Sequence, residues 1–479
     1  SSDLSLSWIK DYVKIPEDAD LKKLAYDLTM STVEVEDVEY LAERFDNMIV
    51  GVIEAIEPHP NADRLRVCKV DIGGGEIKDI VCGGINLKEG MRVAVSCPGA
   101  VVRWHGEGEP VVIKNSKLRG VASFGMICAS DEIGLGELFP AEQEAEILDL
   151  SAFEVPAGTP LADALDMNDV LLEIDNKSMT NRPDLWGHYG IAREIAALYD
   201  LPLKEIKPFE TDVQSDFKVE IDDPDRCTRY IGVEMSGVGV KPSPYKMQNR
   251  IWKVGMRPIN ALVDITNYVM LATGNPTHAF DADNITDHIV VRHAGEGEKL
   301  LLLNDNEIEL CADDLVITDS EGPVALAGVM GGAKDSILPK TERVILEVAN
   351  FEATGIRRTA LRYDTRTEAS SRYEKAIDPE RCDQALALPM QYFKELYPEL
   401  KVTGFCDNYV KKLERAQIDV NLSWLEKRLG KHLTNAEMQG KLEQLGFDVQ
   451  IDGDNMHVTA PTWRSTGDIS IKDDVMEEV

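Results

Sequence analysis

The sequence lacks the segments that would direct a protein into or across a membrane. It has no run of about 18 consecutive apolar residues, the length that a membrane-spanning helix needs. The first residues, SSDLSLSWIK, have neither the basic start nor the apolar stretch of a secretory signal peptide. The eight cysteines are scattered without a C-x-x-C pair, which argues against a zinc site or a disulfide framework. We therefore expect a cytoplasmic protein with reduced thiols.

Positive charge is also scarce. Lys and Arg number 51 against 85 Asp and Glu, which gives a formal net charge of −34. A field of this sign repels polyanions at long range, so nucleic-acid binding would need local basic surface. Two segments offer it: residues 50–120, where Lys and Arg slightly outnumber Asp and Glu, and residues 355–376, which are rich in arginine. For the second segment a solvated helix face is the simpler interpretation, and contact with phosphate is the alternative.

The length of 479 residues exceeds what one hydrophobic core usually organises, so we expect a multidomain α+β protein. Helical spacing over 1–40 gives way over 41–153 to short β-like runs separated by Gly, Pro and Asn, typical of a small barrel or sandwich. Helical spacing returns over 154–205, which indicates a β domain inserted into a first helical module. Helices and strands alternate over 206–410, and a second small helical module follows over 411–479.

The two helical modules share a short sequence echo. LSLSWIKDYV (4–13) and VNLSWLEKRL (420–429) both contain Leu-Ser-Trp, with Ser7 or Ser423 placed to cap a short helix. The echo predicts one module that occurs twice. The absence of a starting Met and the uncapped final helix, IKDDVMEEV, lead us to expect a piece of a longer protein.

Two residues stand out as candidates for chemistry. His278 lies in GNPTHAFDADNI, and a histidine in a turn is its simplest interpretation. Glu347 is the one acid in the apolar run VILEVANF. A buried carboxylate needs a hydrogen-bond partner or a ligand, so Glu347 is a candidate partner for a catalytic histidine. No spacing argument shows that the two residues meet.

The glycine-rich stretch LAGVMGGAKDS supplies Gly328, Gly331 and Gly332. It lacks both G-K-[ST] and the G-x-G-x-x-G spacing, so a phosphate cradle is weakly supported. The glycines could admit a ligand, leave room for a side chain, or form a plain turn.

Four carboxylates near the end form a candidate Mg²⁺ site, because hard oxygen ligands suit this ion. Three of them have i, i+3, i+4 spacing and so share a helical face, and an ordinary acidic surface is the alternative. The four are Asp468, Asp474, Glu477 and Glu478.

Over essentially all of its length, the chain resembles the family of bacterial phenylalanyl-tRNA synthetase β subunits. The motifs that carry the resemblance include LSLSWIKDYV, HPNADRL, KLRGVASFGMICASDEIGL, NRPDLWGHYGIARE, RPINALVDITNYVMLATGNPTHAFD, LAGVMGGA, RTEASSRYEKAIDPE and PTWRSTGDISIKDDVMEEV. The family's architecture is a helical module interrupted by a tRNA-binding OB-fold, an editing domain, and a second helical module. Relatives continue into a catalytic-like module and an anticodon-binding domain.

The resemblance also implies a function. In the family's α₂β₂ heterotetramer, the α subunit uses ATP to charge tRNA(Phe) with phenylalanine, and the β subunit hydrolyses mischarged Tyr-tRNA(Phe). The Mg²⁺ position would be shared with the α subunit. The implied tRNA contacts are Arg64, Lys117, Arg119, Arg357, Arg358 and Arg362. The implied editing pocket comprises Thr266, Asn267, His278, Gly328, Gly331, Glu347, Thr367 and Ala369.

Physical chemistry gives these residues roles. Tyrosine differs from phenylalanine by one hydroxyl, and a buried acceptor such as Glu347 would lose its partner if phenylalanine entered. Sites of this kind can discriminate by roughly 10⁴–10⁵. Gly328 and Gly331 would leave space for the ring, while His278, Thr367 and Asn267 would surround the ester and the attacking water.

The sequence departs from the family pattern at a few positions. Asp364 and Thr365 stand where many relatives have Gly and Leu, and Ala376 replaces a common Gly. Two other functions remain open: a non-catalytic scaffold for tRNA binding and assembly, and a free-standing hydrolase of small molecules. Convergence of His278, Glu347 and Thr367 on one cavity would favour the editing hydrolase over the scaffold.

Overall fold

The computed structural model describes residues 1–479, and it contains helices and strands in several sheets. The α-helices are α1 Leu6–Ile9, α2 Leu21–Ser31, α3 Leu161–Ala164, α4 His188–Tyr199, α5 Tyr245–Lys253, α6 Ala261–Thr273, α7 Ala353–Arg362, α8 Glu368–Tyr373, α9 Cys382–Leu396, α10 Leu422–Leu429, α11 Asn435–Gln444 and α12 Lys472–Glu478. The strands are β1 Ser2–Ser5, β2 Val35–Tyr40, β3 Met48–Pro58, β4 Arg66–Asp71, β5 Ile77–Cys82, β6 Arg92–Ser96, β7 Val101–Val102, β8 Val111–Val112, β9 Ser116–Leu118, β10 Val121–Ser123, β11 Met126–Ile127, β12 Val170–Ile174, β13 Val219–Ile221, β14 Cys227–Ser236, β15 Thr277–Asp281, β16 Ile289–His293, β17 Lys299–Leu301, β18 Glu307–Glu309, β19 Leu315–Asp319, β20 Gly322–Leu326, β21 Met330–Gly331, β22 Arg343–Phe351, β23 Lys401–Tyr409, β24 Gln417–Asn421, β25 Asp448–Asp452 and β26 Asn455–Thr459.

The sequence echo corresponds to a repeated structural unit, but the unit is a mixed α/β one and not the purely helical module that was expected. Each copy is a strand, two helices and two further strands, with the last strand in the middle of a three-stranded antiparallel sheet. The orders are β1-β12-β2 and β24-β26-β25. In the first copy, the chain between β2 and β12 forms a separate β-rich unit, whereas β25 and β26 of the second copy are joined by a short turn.

The predicted helix caps in this unit were wrong by two positions. Ser5 and Asn421 cap α1 and α10, and their side chains accept hydrogen bonds from the backbone N–H groups of the tryptophans three residues later. Ser7 and Ser423 instead donate to an aspartate beside the central strand, Asp169 in one copy and Asp454 in the other. The serine is therefore repeated because it ties each helix to its sheet.

The β-rich unit is a five-stranded antiparallel sheet with the order β11-β6-β3-β4-β5. Its edge strands β11 and β5 lie against each other, so the sheet is nearly closed and barrel-like. Gly51 in β3 lies on the crowded inner side, where an added Cβ would come within 2.6 Å of Val70 and 2.7 Å of Val95. The small residue allows the sheet to curl this tightly.

The largest unit is built around a second sheet with the order β15-β22-β14-β23. Side chains alternate between the two faces of each strand. Val344, Leu346 and Val348 of β22 pack with α6 and α9, while Ile345 and Ala349 pack towards a third sheet, β13-β16-β19-β20-β21. Because both faces of β22 are covered, its sequence is almost continuously apolar. Glu347 shares its face with Ile345 and Ala349, so it points between the two sheets.

The helical side of this unit shares its core with the first helical module. One cluster of 42 buried residues includes Trp8 and Leu28 near the start of the chain, Ile195 of α4, Ile265 of α6 and Phe393 of α9. The first copy of the repeated unit and helices α4, α5, α6 and α9 therefore share one core, while the barrel-like sheet and the second copy have clusters of their own. None of the helices combines the length and apolar character that a membrane span requires.

Candidate active site

A small cavity lies between the two large sheets and is closed on one side by α8. Its volume is about 80 Å³, well above the roughly 15 Å³ that a single water needs. Strands β15 and β22 form one wall, and the chain from β20 to β21 forms the opposite wall. The lining residues are Pro276, Thr277, His278, Ile317, Ala325, Leu326, Ala327, Gly328, Val329, Met330, Gly331, Glu347, Ala369 and Tyr373.

His278 and Glu347 lie side by side on the wall formed by β15 and β22. They are direct register partners in the antiparallel pair β15–β22, so their side chains project from the same face of the sheet. The His278 ring packs edge-on against Phe280, with ring centroids 4.6 Å apart. Packing around the imidazole lowers the pKa of His278 to about 4, and no neighbouring charge counteracts this effect. The imidazole is therefore neutral at pH 7.

Glu347 is buried and has one hydrogen-bond partner within the chain. The Tyr230 hydroxyl donates to Glu347 Oε2 at 2.6 Å. Burial raises the pKa of Glu347 to about 7, although the bond from Tyr230 acts in the opposite direction. The carboxyl group can therefore exist in both protonation states near neutral pH.

The glycines of LAGVMGG make room for side chains of the protein itself. A Cβ at Gly331 would lie 2.7 Å from His278 Cε1 and 2.9 Å from its Nε2. At Gly328, a Cβ would lie 3.0 Å from both Phe351 and Tyr373, and the backbone has a φ of 66° that favours glycine. Of the three alternatives for this motif, space for a side chain fits the structure best.

The remaining residues of the implied editing pocket lie near the cavity but do not all line it. Ala369 belongs to the lining. Thr367 caps α8 and its hydroxyl donates to the Val329 carbonyl at 2.8 Å, so it anchors one wall from outside. Thr266 and Asn267 lie on α6, where the Thr266 carbonyl accepts a hydrogen bond from the lining residue Thr277. The structure thus brings five of the eight residues to the cavity surface.

Most of the arginines in 355–376 form ion pairs with carboxylates of this chain, which favours the solvated helix face over contact with phosphate. Arg358 pairs with Asp313 at 3.0 Å, and Arg362 pairs with both Asp313 and Asp314. The hydrogen bond from Arg358 helps to lower the pKa of Asp313 to about 2. Of the three predicted tRNA contacts in this segment, Arg357 alone is exposed and outside any ion pair.

The other predicted tRNA contacts lie together on the barrel-like sheet. His59 bonds to the Leu118 carbonyl at 2.9 Å, and Asn61 donates to the Arg119 carbonyl at 3.0 Å. These bonds join HPNADRL to the β9–β10 hairpin. The exposed basic residues of this corner are Arg64, Lys117 and Arg119.

The four carboxylates do not form the predicted Mg²⁺ site, and no group of three or more His, Cys, Asp or Glu side chains in the structure could hold a metal ion. Arg464 binds both Asp468 and Glu478, and it would repel a cation placed there. Asp474 accepts hydrogen bonds from the backbone N–H groups that precede α12. These carboxylates do not fit a metal ion, because Asp468 and Glu478 are held in ion pairs and Asp474 caps a helix. Glu477 alone does not complete a set of ligands.

Two departures from the family pattern fall where the backbone is left-handed. Asp364 has a φ of 47° and Ala376 a φ of 64°. Glycine adopts this conformation without strain, whereas alanine costs about 1 kcal/mol or more. Ala376 therefore strains the turn after α8, whereas aspartate tolerates this conformation, and neither residue lines the cavity.

Tyr230 is the residue of the site that the sequence did not predict. It lies in CTRYIGVEMS, more than 100 residues before Glu347, and no motif marks it. The only indication was the general requirement that a buried carboxylate find a donor.

Three family models match the chain in succession. A putative tRNA binding domain matches residues 48–159, a B3/4 domain matches residues 226–398, and a tRNA synthetase B5 domain matches residues 418–479. The first of these contains the barrel-like sheet and the second contains the cavity. Together they define a component of an aminoacyl-tRNA synthetase that has a tRNA-binding domain.

Curated relatives make the assignment more specific. The phenylalanine–tRNA ligase beta subunit of Oceanobacillus iheyensis is 39% identical over 99% of this chain and 58% of its own length. The beta subunit of Halalkalibacterium halodurans is 36% identical over 99% of this chain and 58% of its own length. The chain belongs to the family of phenylalanine–tRNA ligase beta subunits, and it spans a little under three-fifths of their length.

A solved N-terminal fragment of the phenylalanyl-tRNA synthetase beta subunit from Pyrococcus horikoshii also matches. It is 18% identical and covers 65% of this chain and 86% of its own, with a TM-score of 0.34. A similarity this low does not bear on the fold.

Proposed function

We propose that this chain binds tRNA(Phe) and hydrolyses tyrosine wrongly attached to it. The observation that carries the proposal is the position of His278 beside Glu347 on one wall of a small cavity. A buried carboxylate and a neutral imidazole at one cavity surface are suited to recognising a hydroxyl group and positioning a water.

Glu347 would recognise the amino acid. Tyr230 occupies one of its oxygens, and the other can accept a hydrogen bond from the phenol of tyrosine. Phenylalanine would displace water from the carboxylate and provide no donor in return. An unsatisfied buried group costs about 1–3 kcal/mol, and more when it is charged, so phenylalanine would be rejected.

His278 would act on the ester. In hydrolysis, a water oxygen attacks the ester carbonyl carbon, the bond from that carbon to the ribose oxygen breaks, and the ribose oxygen gains a proton. The neutral imidazole can accept a hydrogen bond from the attacking water. Because its pKa is about 4, His278 is a weak base, so we assign it to orienting the water and leave proton transfer to be shared with a hydroxyl of the bound tRNA.

The tRNA would approach over the barrel-like sheet. The three exposed cations at its HPNADRL corner provide local positive charge on an otherwise acidic protein, as phosphate binding requires. Arg357 would add a contact near the cavity. In this proposal the OB-fold spans 41–153, the editing domain 206–410, and the helical modules 1–40 with 154–205 and 411–479.

The complete ligase would divide its work between subunits. An α subunit would activate phenylalanine with ATP and Mg²⁺ and charge the tRNA in the cytoplasm, and this chain would support it in an α₂β₂ assembly. Membership of the family supports this division of work.

The test is the rate of Tyr-tRNA(Phe) hydrolysis by the ligase that carries this chain. We expect Glu347→Ala and His278→Ala each to slow hydrolysis by roughly 10–100-fold, the equivalent of about 1–3 kcal/mol. The exposed Glu342 and the partly exposed His288, both outside the cavity, provide matched alanine controls that should leave the rate unchanged. Wild-type rates in both cavity variants would favour the scaffold function instead.

A further inference from the structure

We propose that Tyr230 is a specificity-determining positioning residue: by holding one oxygen of Glu347, it leaves the other oxygen as the acceptor for the hydroxyl of the substrate. This inference rests on the proposed function and goes beyond it. Tyr230 does not line the cavity, so its effect must pass through Glu347.

The sheet register places the two side chains within reach. On β14, Gly232 is the direct partner of Glu347, and Tyr230 is the partner of Ala349. Tyr230 therefore lies two residues along the neighbouring strand, on the same face as Glu347. Diagonal neighbours of this kind are about 7–8 Å apart at the backbone, a gap that an aromatic side chain can span. Since the direct partner is glycine, no side chain projects from that position between them.

The contact is short and well defined. At 2.6 Å, the O–H···O distance is in the range of charge-assisted hydrogen bonds. Tyr230 is fully buried, so its phenol has no solvent to bond with if it leaves the carboxylate. Burial and the neighbouring Glu347 also raise the pKa of Tyr230 well above its ordinary value, so the hydroxyl remains a donor at every pH at which the protein is folded.

This contact is itself a carboxylate–phenol pair. A tyrosine substrate would form the same pair with the second oxygen, and the two phenols would flank one carboxylate. Because a phenol has a single proton, Tyr230 donates to Glu347 and cannot also donate to the substrate. Tyr230 thus fixes the rotation of the carboxylate and selects which oxygen meets the ligand.

The other groups around Glu347 do not perform this task. Cys227 and Tyr373 are buried with pKa values raised well above their ordinary range, and burial raises the pKa of Asp335 to about 8, so all three are mainly neutral at pH 7. Tyr230 alone lowers the pKa of Glu347. The titratable groups that face Glu347 are His278 on β15, Cys227 and Tyr230 on β14, Tyr373 on α8 and Asp335 after β21.

The test is Tyr230→Phe in the complete ligase, which keeps the ring and removes the hydroxyl. We expect the ratio of hydrolysis rates for Tyr-tRNA(Phe) and Phe-tRNA(Phe) to fall about tenfold. We also expect the pH midpoint of this ratio to rise, because Glu347 loses the donor that favours its charged form. Tyr363→Phe is the matched control, since the Tyr363 hydroxyl donates to a carboxylate, Asp314, that lies outside the cavity.

A double variant separates positioning from folding effects. If Tyr230 acts through Glu347, then Tyr230→Phe combined with Glu347→Gln should be no less selective than Glu347→Gln alone. Additive losses would overturn the inference. An unchanged ratio of hydrolysis rates and an unchanged pH midpoint in Tyr230→Phe would also overturn the inference about Tyr230. In that case, a loss of selectivity in Glu347→Gln would still support the proposed function. An unchanged ratio in Glu347→Gln itself would reject the proposed function.

Discussion

Replacing Glu347 with glutamine should remove a pH-dependent term from the stability of the folded chain. Burial raises the pKa of Glu347 from its ordinary 4.5 to about 7. The folded state thus holds this proton more tightly than the unfolded chain, so the contribution of Glu347 to stability is complete below pH 4.5 and is lost as the pH rises through 7. The difference between these two pKa values corresponds to about 3 kcal/mol of unfolding free energy.

Urea unfolding at about pH 5.5 and pH 8.5 measures most of this effect. The unfolding free energy of the wild type, relative to Glu347→Gln, should fall by about 2 kcal/mol between these conditions. Glu342→Gln is the matched control, because Glu342 is exposed just before β22 and its substitution removes the same formal charge. For Glu342→Gln, the difference in unfolding free energy from the wild type should change little between the two pH values. If the difference for Glu347→Gln also changed little, Glu347 would ionise as an exposed glutamate does, and burial would not raise its pKa.

Three further substitutions test the surroundings of the site by urea unfolding. Gly331→Ala would press a methyl group against His278, so we expect a loss of about 1–3 kcal/mol together with slower hydrolysis, whereas Gly239→Ala, with open space around it, should have neither effect. Ala376→Gly should stabilise the chain by about 1 kcal/mol, since it relieves a left-handed backbone; no gain would show that the turn is unstrained. Arg464→Met should destabilise by about 3–5 kcal/mol, because it leaves two carboxylates without their partner, and a change below about 0.5 kcal/mol would argue against that ion pair.

Local sequence patterns predicted several parts of the fold. The Leu-Ser-Trp echo identified a unit that occurs twice, because the same serine must tie each short helix to its sheet. The apolar run around Glu347 indicated a strand covered on both faces. The predicted caps, Ser7 and Ser423, lie two residues after the observed ones. A serine in the first turn of a helix resembles a cap when the distant aspartate that it binds is unknown.

Long-range partners explain what the sequence left undetermined. The ion pairs of Arg358 and Arg362 could not be predicted because their aspartate partner lies 45 and 49 residues earlier in the chain. Likewise, Arg464 forms ion pairs with Asp468 and Glu478, two of the carboxylates that resembled a metal site. Tyr230 reaches Glu347 only through the pairing of β14 with β22, and strand pairing over such a distance cannot be deduced from one sequence.

Two different features of the sequence indicated the candidate site. Charge and burial marked Glu347 as a buried acid in need of a partner, while His278 became a strong candidate only through the family resemblance. The structure shows both at one cavity and leaves Thr266, Asn267 and Thr367 behind its walls. A role for these three in contacting the ester would require the tRNA end to reach beyond the cavity lining.

The central claim is that Glu347 distinguishes tyrosine from phenylalanine by accepting a hydrogen bond from the extra hydroxyl. The most direct measurement is the ratio of hydrolysis rates for Tyr-tRNA(Phe) and Phe-tRNA(Phe) in the wild-type ligase and in Glu347→Gln. We predict a large preference for tyrosine in the wild type that falls by at least about tenfold in the variant. An equal preference in both proteins would contradict the claim.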